Sequence, residues 1–132
     1  MKNRNTNVYQ RKYVYPTELI LTYLATSPDK KKKIVLDGCL VNTGSQRLVN
    51  FKKHGIVCAN CGMVGEFFAL ERVKDGEAYH LNLYGKKGDE DVLMTADHII
   101  PLSKGGDNAV HNLQTLCKPC NEKKSNKYDE KA

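Results

Sequence analysis

The first part of the chain consists of short apolar stretches with helical spacing, separated by polar breaks. After Pro16, apolar residues at positions 19, 20, 23 and 24 follow the spacing of one face of an α-helix. Pro28 ends that helix, and a second short helix is predicted around residues 34–36. Ser45 is a good N-cap for a third helix, which is expected to end at Gly55. Residues 1–15 are predicted to be an extended or disordered arm.

From residue 56 onward the pattern changes to short β-strands separated by turns. The predicted strands are residues 67–72, 79–84, 92–100 and 113–116. A turn at 74–76 joins the first two, and a polar loop at 85–91 precedes the third. A glycine-containing loop at 103–112 separates the last two strands, and a closing helix is predicted from about residue 119 to residue 127. The order over residues 92–127 is therefore strand, long loop, strand, helix.

Four of the five cysteines form two Cys-x-x-Cys pairs, Cys58/Cys61 and Cys117/Cys120. Each pair lets two thiolates from one tight turn reach one tetrahedral ion, and two pairs complete the closed coordination of a structural zinc site. A single pair is also compatible with a redox motif, but two pairs flanked by turn residues favour zinc. The 55 residues between Cys61 and Cys117 exceed an ordinary zinc ribbon and imply a functional insert. Cys39 is predicted to be a small buried apolar side chain.

The positive charge is concentrated at the start of the chain. Residues 1–36 carry eight Lys/Arg and two Asp/Glu, whereas residues 37–132 carry thirteen of each, so the net charge of +6 comes from the first quarter. Such a segment is typical of an arm that binds polyphosphate by releasing counterions, and equally of a solvated tail. The candidate nucleic-acid contacts in it are Arg11, Lys12, Lys30, Lys31, Lys32 and Lys33.

The bulk properties exclude several classes of protein. A chain of 132 residues with 40% hydrophobic content suits one compact domain. It has no apolar run of 18 residues or more, so a transmembrane helix is not expected. The polar N-terminus lacks the apolar core of a secretory signal, and we therefore expect an intracellular, cytoplasmic protein that does not bind a membrane.

The most specific motif lies in the last quarter of the chain. It begins at Asp97-His98, continues through a loop that contains Gly105-Gly106, and ends with Asn112 and the run CKPCNEKK at 117–124. With the preceding cysteine pair at 58 and 61, these residues resemble the zinc-bearing subset of the HNH endonuclease family. The resemblance covers residues 97–127 closely and does not extend to residues 1–55.

This resemblance implies an α+β fold: a ββα-metal finger with a four-cysteine zinc site, preceded here by a short helical N-terminal region. A two-stranded hairpin and a helix would hold one divalent cation. The resemblance also implies that His98 is the general base, with Asn112 at the middle signature position and Asn121 at the third. Many members have histidine at the third position, so this chain is an H-N-N variant. Asp97 matches the acidic metal ligand that precedes the first histidine.

These residue types suit phosphodiester hydrolysis. A neutral imidazole such as that of His98 can deprotonate water near neutral pH. Asp97 and Asn121 offer only oxygen ligands, which favour Mg²⁺ or Mn²⁺ as the catalytic ion. Asn112 is expected either to orient His98 or to brace the loop through hydrogen bonds to the backbone. Asn108 is expected only to shape that loop.

Two lysines of the closing helix complete the candidate site. Lys124 and Lys127 lie three and six residues beyond Asn121, broadly on its side of the helix and within reach of a phosphate backbone. Each is also compatible with an ordinary solvated surface charge.

The sequence thus predicts a basic arm with short helices at 1–44, a zinc-stabilised HNH nuclease domain at 45–128 and a tail at 129–132. The expected function is metal-dependent hydrolysis of DNA phosphodiester bonds, by nicking or double-strand cleavage. The alternative is a non-catalytic zinc-stabilised module that binds nucleic acid. Homing, restriction, phage-packaging and toxin roles stay open, as do partner proteins from a phage or mobile element, the oligomeric state and the choice between DNA and RNA.

Overall fold

The structure, a computed structural model, describes residues 9–26, 33–76 and 78–125. It has the mixed α+β fold that the sequence predicts. The helices are α1 (Thr17–Thr26), α2 (Gln46–His54) and α3 (Lys118–Lys124). The strands are β1 (Tyr9–Pro16), β2 (Lys33–Leu36), β3 (Cys39–Asn42), β4 (Phe67–Val73), β5 (Tyr79–Lys87), β6 (Glu90–His98) and β7 (Leu113–Cys117). No helix in the described ranges is long and apolar enough to cross a membrane.

The strands form one curled sheet with β5 at its centre. Strand β4 lies antiparallel along one side of β5, and β1 extends the sheet beyond β4. On the other side of β5, its beginning pairs with β3 and its end pairs with β6. Strand β6 then leaves β5 and pairs over residues 94–98 with β7. One strand therefore joins the main sheet to a two-stranded hairpin, and α3 follows that hairpin directly.

The main hydrophobic core lies between the sheet and helices α1 and α2. Alternation along β4 places Phe68 and Leu70 on the core face, where Phe68 packs edge-on against Phe51 of α2, with 6.2 Å between ring centroids. Ile20 and Leu24 bury one face of α1, as their helical spacing predicts. The same core continues into the hairpin through Met94, Leu116 and Cys117, and it also includes Cys58 from the segment before β4.

Helix α2 confirms the capping prediction at both ends. The Ser45 side chain accepts a hydrogen bond from the backbone N–H of Leu48, and Gly55 has a φ of 94° and donates its backbone N–H to the Phe51 carbonyl. This helix packs against β6 and β7 and so supports the hairpin from the core side.

The predicted helix around residues 34–36 is wrong, because these residues form β2. Ile34 and Val35 are β-branched and favour an extended backbone. Asp37 and Gly38 both have positive φ, at 48° and 81°, as the tight turn of a two-residue hairpin requires. The short apolar run is therefore half of a hairpin with β3.

The predicted polar loop at 85–91 is also wrong. Strand β5 runs on to Lys87 and β6 begins at Glu90, so only a tight turn at Gly88 and Asp89 separates them. Backbone pairing in this hairpin outweighs the polar composition of the segment. At the other end, α3 stops at Lys124 with Ser125 as its C-cap, and residue 127 lies outside the described ranges.

An ion pair binds β1 to the sheet, so residues 9–16 do not form a free arm. Arg11 donates from Nε to Glu71 Oε2 at 2.7 Å and from Nη1 to Asp91 Oδ2 at 3.1 Å. Glu71 is buried and also accepts hydrogen bonds from the Tyr84 hydroxyl and the Asn82 amide, at 2.6 and 2.9 Å. The contacts join β1, β4, β5 and β6. The domain boundary at residues 44/45 stays a prediction, although elements on both sides of it share one sheet.

Candidate active site and cysteine cluster

The four paired cysteines meet at one point, as their spacing predicts. Their sulfur atoms all lie within 4.8 Å of one another, and the Sγ atoms of Cys61 and Cys117 are 3.7 Å apart. Sulfurs bound to one tetrahedral zinc ion at about 2.3 Å lie roughly 3.8 Å apart. The cluster is therefore compatible with a structural zinc ion.

Local backbone structure brings the two pairs together. The first pair lies on a tight turn closed by hydrogen bonds from Cys58 N to Met63 O and from Gly62 N to Cys58 O, at 2.8 and 3.0 Å. Cys117 is the last residue of β7 and the N-cap of α3, and Cys120 lies in the first turn of that helix. A hydrogen bond of 2.8 Å from Ala59 N to Thr115 O holds the first turn against β7.

The surroundings of the sulfurs shift the pKa of two of the four thiols in opposite directions. Burial raises the pKa of the Cys58 thiol, but hydrogen bonds with the backbone of Cys61, Cys117 and Asn60 outweigh it and lower that pKa to about 6. Burial and the neighbouring thiols raise the pKa of Cys117 to about 12. Without a cation the four groups cannot all be thiolates near neutral pH. The fifth cysteine, Cys39, is buried in β3 outside this cluster, as predicted.

A second polar site lies where the end of the hairpin meets α3. An open pocket of about 380 Å³ is lined by Asp97 and His98 from β6, by Asn121 and Lys124 from α3, and by residues 101–103 of the loop. A regular strand would point Asp97 and His98 to opposite faces. His98 is the last residue of β6, and both residues line the same pocket. Three of the residues that the motif singled out therefore come together.

Asp97 carries the negative charge of this pocket. The residue is only 7% exposed, and its Oδ2 accepts a hydrogen bond from Gln114 Nε2 at 3.0 Å. The Lys124 ammonium lies 3.1 Å from the same oxygen and also donates to the His98 carbonyl at 2.9 Å. Lys124 thus neutralises Asp97 and joins α3 to the end of β6.

The Asn121 amide has a defined orientation. Its Nδ2 donates to Thr95 Oγ1 at 2.8 Å, while the Thr95 hydroxyl donates to the Leu116 carbonyl at 2.7 Å. Since the threonine proton is used in the second bond, Thr95 Oγ1 must act as the acceptor in the first. The Asn121 Oδ1 atom is thereby left to accept a further donor or to bind a cation.

The His98 ring is hydrogen-bonded to Asn108, a residue that the sequence predicts only to shape the loop. His98 Nε2 lies 2.9 Å from Asn108 Oδ1. An amide oxygen only accepts, so Nε2 carries the proton and Nδ1 is the nitrogen that can take up another. No spacing rule points to Asn108, because this contact depends on the path of the whole loop.

Asn112 braces the loop, which is one of the two roles expected for it. Its Oδ1 accepts from Ile100 N at 2.9 Å, and its Nδ2 donates to the carbonyls of Ile100 and Asp107, at 3.0 and 2.8 Å. Gly106 permits the close approach, since a Cβ atom there would lie 1.8 Å from the Ile100 carbonyl oxygen. Asn112 therefore fixes the loop that carries Asn108.

The predicted nucleic-acid contacts outside α3 lie elsewhere. Arg11 is compensated by two carboxylates, and Lys12 Nζ lies 3.5 Å from both the Asp37 carbonyl and Cys39 Sγ. Lys33 begins β2 and is exposed. None of these three lines the pocket. The remaining predicted contacts, Lys30, Lys31, Lys32 and Lys127, lie outside the described residues.

The C-terminal segment of the chain, which contains the pocket, is similar to a known protein family. Residues 84–132 match the family model described as HNH endonuclease. The HNH match contains the hairpin, α3, every described residue of the pocket and the second cysteine pair, whereas Cys58 and Cys61 precede it. No curated protein and no solved structure is significantly similar to the chain. The match confirms the resemblance in the sequence and indicates a nuclease-related function for this segment.

Truncation of the two loop asparagines separates their roles. We expect Asn112→Ala to lower the free energy of unfolding by about 1–3 kcal/mol, because it leaves buried backbone groups without partners. Asn108→Ala removes only the contact with the exposed edge of His98, and its unfolding free energy should stay within about 0.5 kcal/mol of the unmodified chain. Urea denaturation measures both values. Equal losses for the two variants would contradict the assignment.

Proposed function

We propose that this protein is a metal-dependent endonuclease that hydrolyses phosphodiester bonds in DNA. The observation that carries the proposal is the shared pocket of Asp97, His98 and Asn121, located in the segment that matches the HNH endonuclease family. A basic nitrogen, a carboxylate and an amide oxygen are the groups that water activation and cation binding require.

His98 supplies the general base in this proposal. Its Nδ1 takes a proton from the attacking water, whose oxygen forms a bond to phosphorus while the bond to the 3′ oxygen breaks, and the leaving 3′ oxygen takes a proton from solvent water. The products are a 5′-phosphate and a 3′-hydroxyl. Asn108 positions the ring by holding Nε2 in its protonated form.

Asp97 and Asn121 are the residues that would hold a divalent cation. The carboxylate and the free Oδ1 of the amide form an oxygen-only donor set, which fits Mg²⁺ or Mn²⁺. When bound, such an ion stabilises the negative charge that develops on the phosphate. Lys124 lies against Asp97 in the structure, so the ammonium and the cation compete for one carboxylate. We therefore expect the cation to bind weakly in the absence of DNA.

We further propose that the cysteine cluster binds one zinc ion with a structural role. The sulfur spacing supports this assignment. Metal analysis of the purified chain should find one zinc ion per chain, and the double variant Cys58→Ser/Cys61→Ser should lose it. Cys39→Ser is the matched control and should keep the zinc. A chain that purifies without zinc, or a double variant that keeps a full equivalent, would contradict the proposal.

One observation favours the alternative of a non-catalytic module that binds nucleic acid. The carboxylate of Asp97 is already paired with Lys124, and a chain that only binds DNA has no need to release it. The alternative does not explain why the side chains of His98 and Asn121 are held in defined orientations. Both functions predict DNA binding, and they differ in whether the DNA is cut.

Cleavage of plasmid DNA in the presence of Mg²⁺ or Mn²⁺ tests the catalytic assignment. His98→Ala should lower the nicking rate by about 100-fold or more, because it removes the general base. His111→Ala is the matched control, since this exposed histidine of the same loop does not line the pocket, and its rate should equal that of the unmodified chain. Undiminished cleavage by His98→Ala refutes the base assignment. Retardation of DNA by the unmodified chain without any cleavage supports the binding module instead.

A further inference from the structure

We propose that a second pocket, between the first cysteine turn and α3, is a subsite for the nucleotide next to the one whose phosphate is cleaved. This inference rests on the proposed function, because it extends the path of the same DNA strand. The pocket is open and has a volume of about 370 Å³. Ala59 and Asn60 line it from the cysteine turn, Gln114 from β7, and Lys123 and Lys124 from α3.

This pocket is distinct from the space among the four sulfurs. Of the clustered cysteines only Cys120 lines it. Asn60 Nδ2 donates to Cys120 Sγ at 3.3 Å, so Asn60 lines the pocket and also contacts the cluster. A ligand in the pocket would therefore contact the outer side of the cysteine site and would not replace its ion.

Two residues whose side chains contact Asp97 line this second pocket. Lys124 lines both pockets and lies 3.1 Å from Asp97 Oδ2. Gln114 lines the second pocket while its Nε2 donates to the same carboxylate oxygen. The two pockets are thus neighbours, and a strand with one phosphate beside His98 passes over Lys124 into the second pocket.

The chemistry of the lining suits a nucleotide. Lys124 is already paired with Asp97, but Lys123 supplies a positive charge, and no carboxylate is among the described lining residues, so the pocket offers one ammonium group to a phosphate. Ala59 and Leu116 provide apolar surface for a base or sugar, and the amides of Asn60 and Gln114 provide hydrogen-bonding groups. The volume is within the range of about 300–1,000 Å³ that small-molecule sites occupy.

The affinity for a short DNA duplex tests the subsite without relying on cleavage. Fluorescence anisotropy is measured in buffer that contains neither Mg²⁺ nor Mn²⁺, and no chelator, so that the cysteine site keeps its ion. Lys123→Ala removes the positive charge of the Lys123 ammonium, and Ala59→Phe fills the pocket without a change in charge. Lys118→Ala is the matched control, because Lys118 is an exposed lysine of the same helix that lines neither pocket.

We expect Lys123→Ala and Ala59→Phe each to raise the dissociation constant roughly five- to tenfold, whereas Lys118→Ala changes it by less than about twofold. Lys123→Arg should restore most of the affinity, since it keeps the charge. Equal weakening by Lys123→Ala and Lys118→Ala, or unchanged binding by Ala59→Phe with its metal content intact, would overturn the subsite. If the unmodified chain itself does not bind the duplex, the proposed function fails together with the subsite. If the unmodified chain binds the duplex but the pocket variants bind it equally well, only the subsite fails.

Discussion

The geometry of the candidate site depends on four sulfur atoms that join two segments far apart in the sequence. Cys117 ends β7 and Cys120 lies in the first turn of α3, so the proposed zinc ion would fix the angle at which the helix leaves the hairpin. Asn121 is the next residue along the helix. A helix of seven residues is not stable alone in water, and α3 therefore relies on the cluster and on the contacts of Lys124 and Asn121 with β6.

The loop between β6 and β7 positions the other part of the candidate site. Asn112 closes it with three hydrogen bonds to the backbone, and Gly106 leaves room for the Ile100 carbonyl. The fixed loop then presents Asn108 to the His98 ring. The site thus has two supports, the cysteine cluster at α3 and the loop beside β6, and the pocket contains an imidazole and a paired carboxylate. Lys124 of α3 lines both this pocket and the neighbouring one, so the shape of both pockets depends on its position.

Local signals in the sequence predict the features that depend on short spacings. The cysteine pairs, the caps of α2 and the order of strand, loop, strand and helix are of this kind. Short spacings do not predict contacts between residues that are far apart in the sequence. Arg11 is an example: its charge suggests a contact with DNA, but the carboxylates that neutralise it lie 60 and 80 residues away. The contact between His98 and Asn108 is missed for a similar reason, because it depends on how the whole loop returns to the strand end.

Amide hydrogen exchange before and after removal of the proposed zinc ion tests most directly whether the cluster supports the site. The account predicts that loss of the ion exposes the amides of β7, α3 and residues 94–98 to exchange. The amides at the centres of β4 and β5, which belong to the main core, should remain protected because helices α1 and α2 still cover them. Unchanged protection of β7 and α3 in the metal-free chain would contradict the account, since the candidate site would then be held without the cluster.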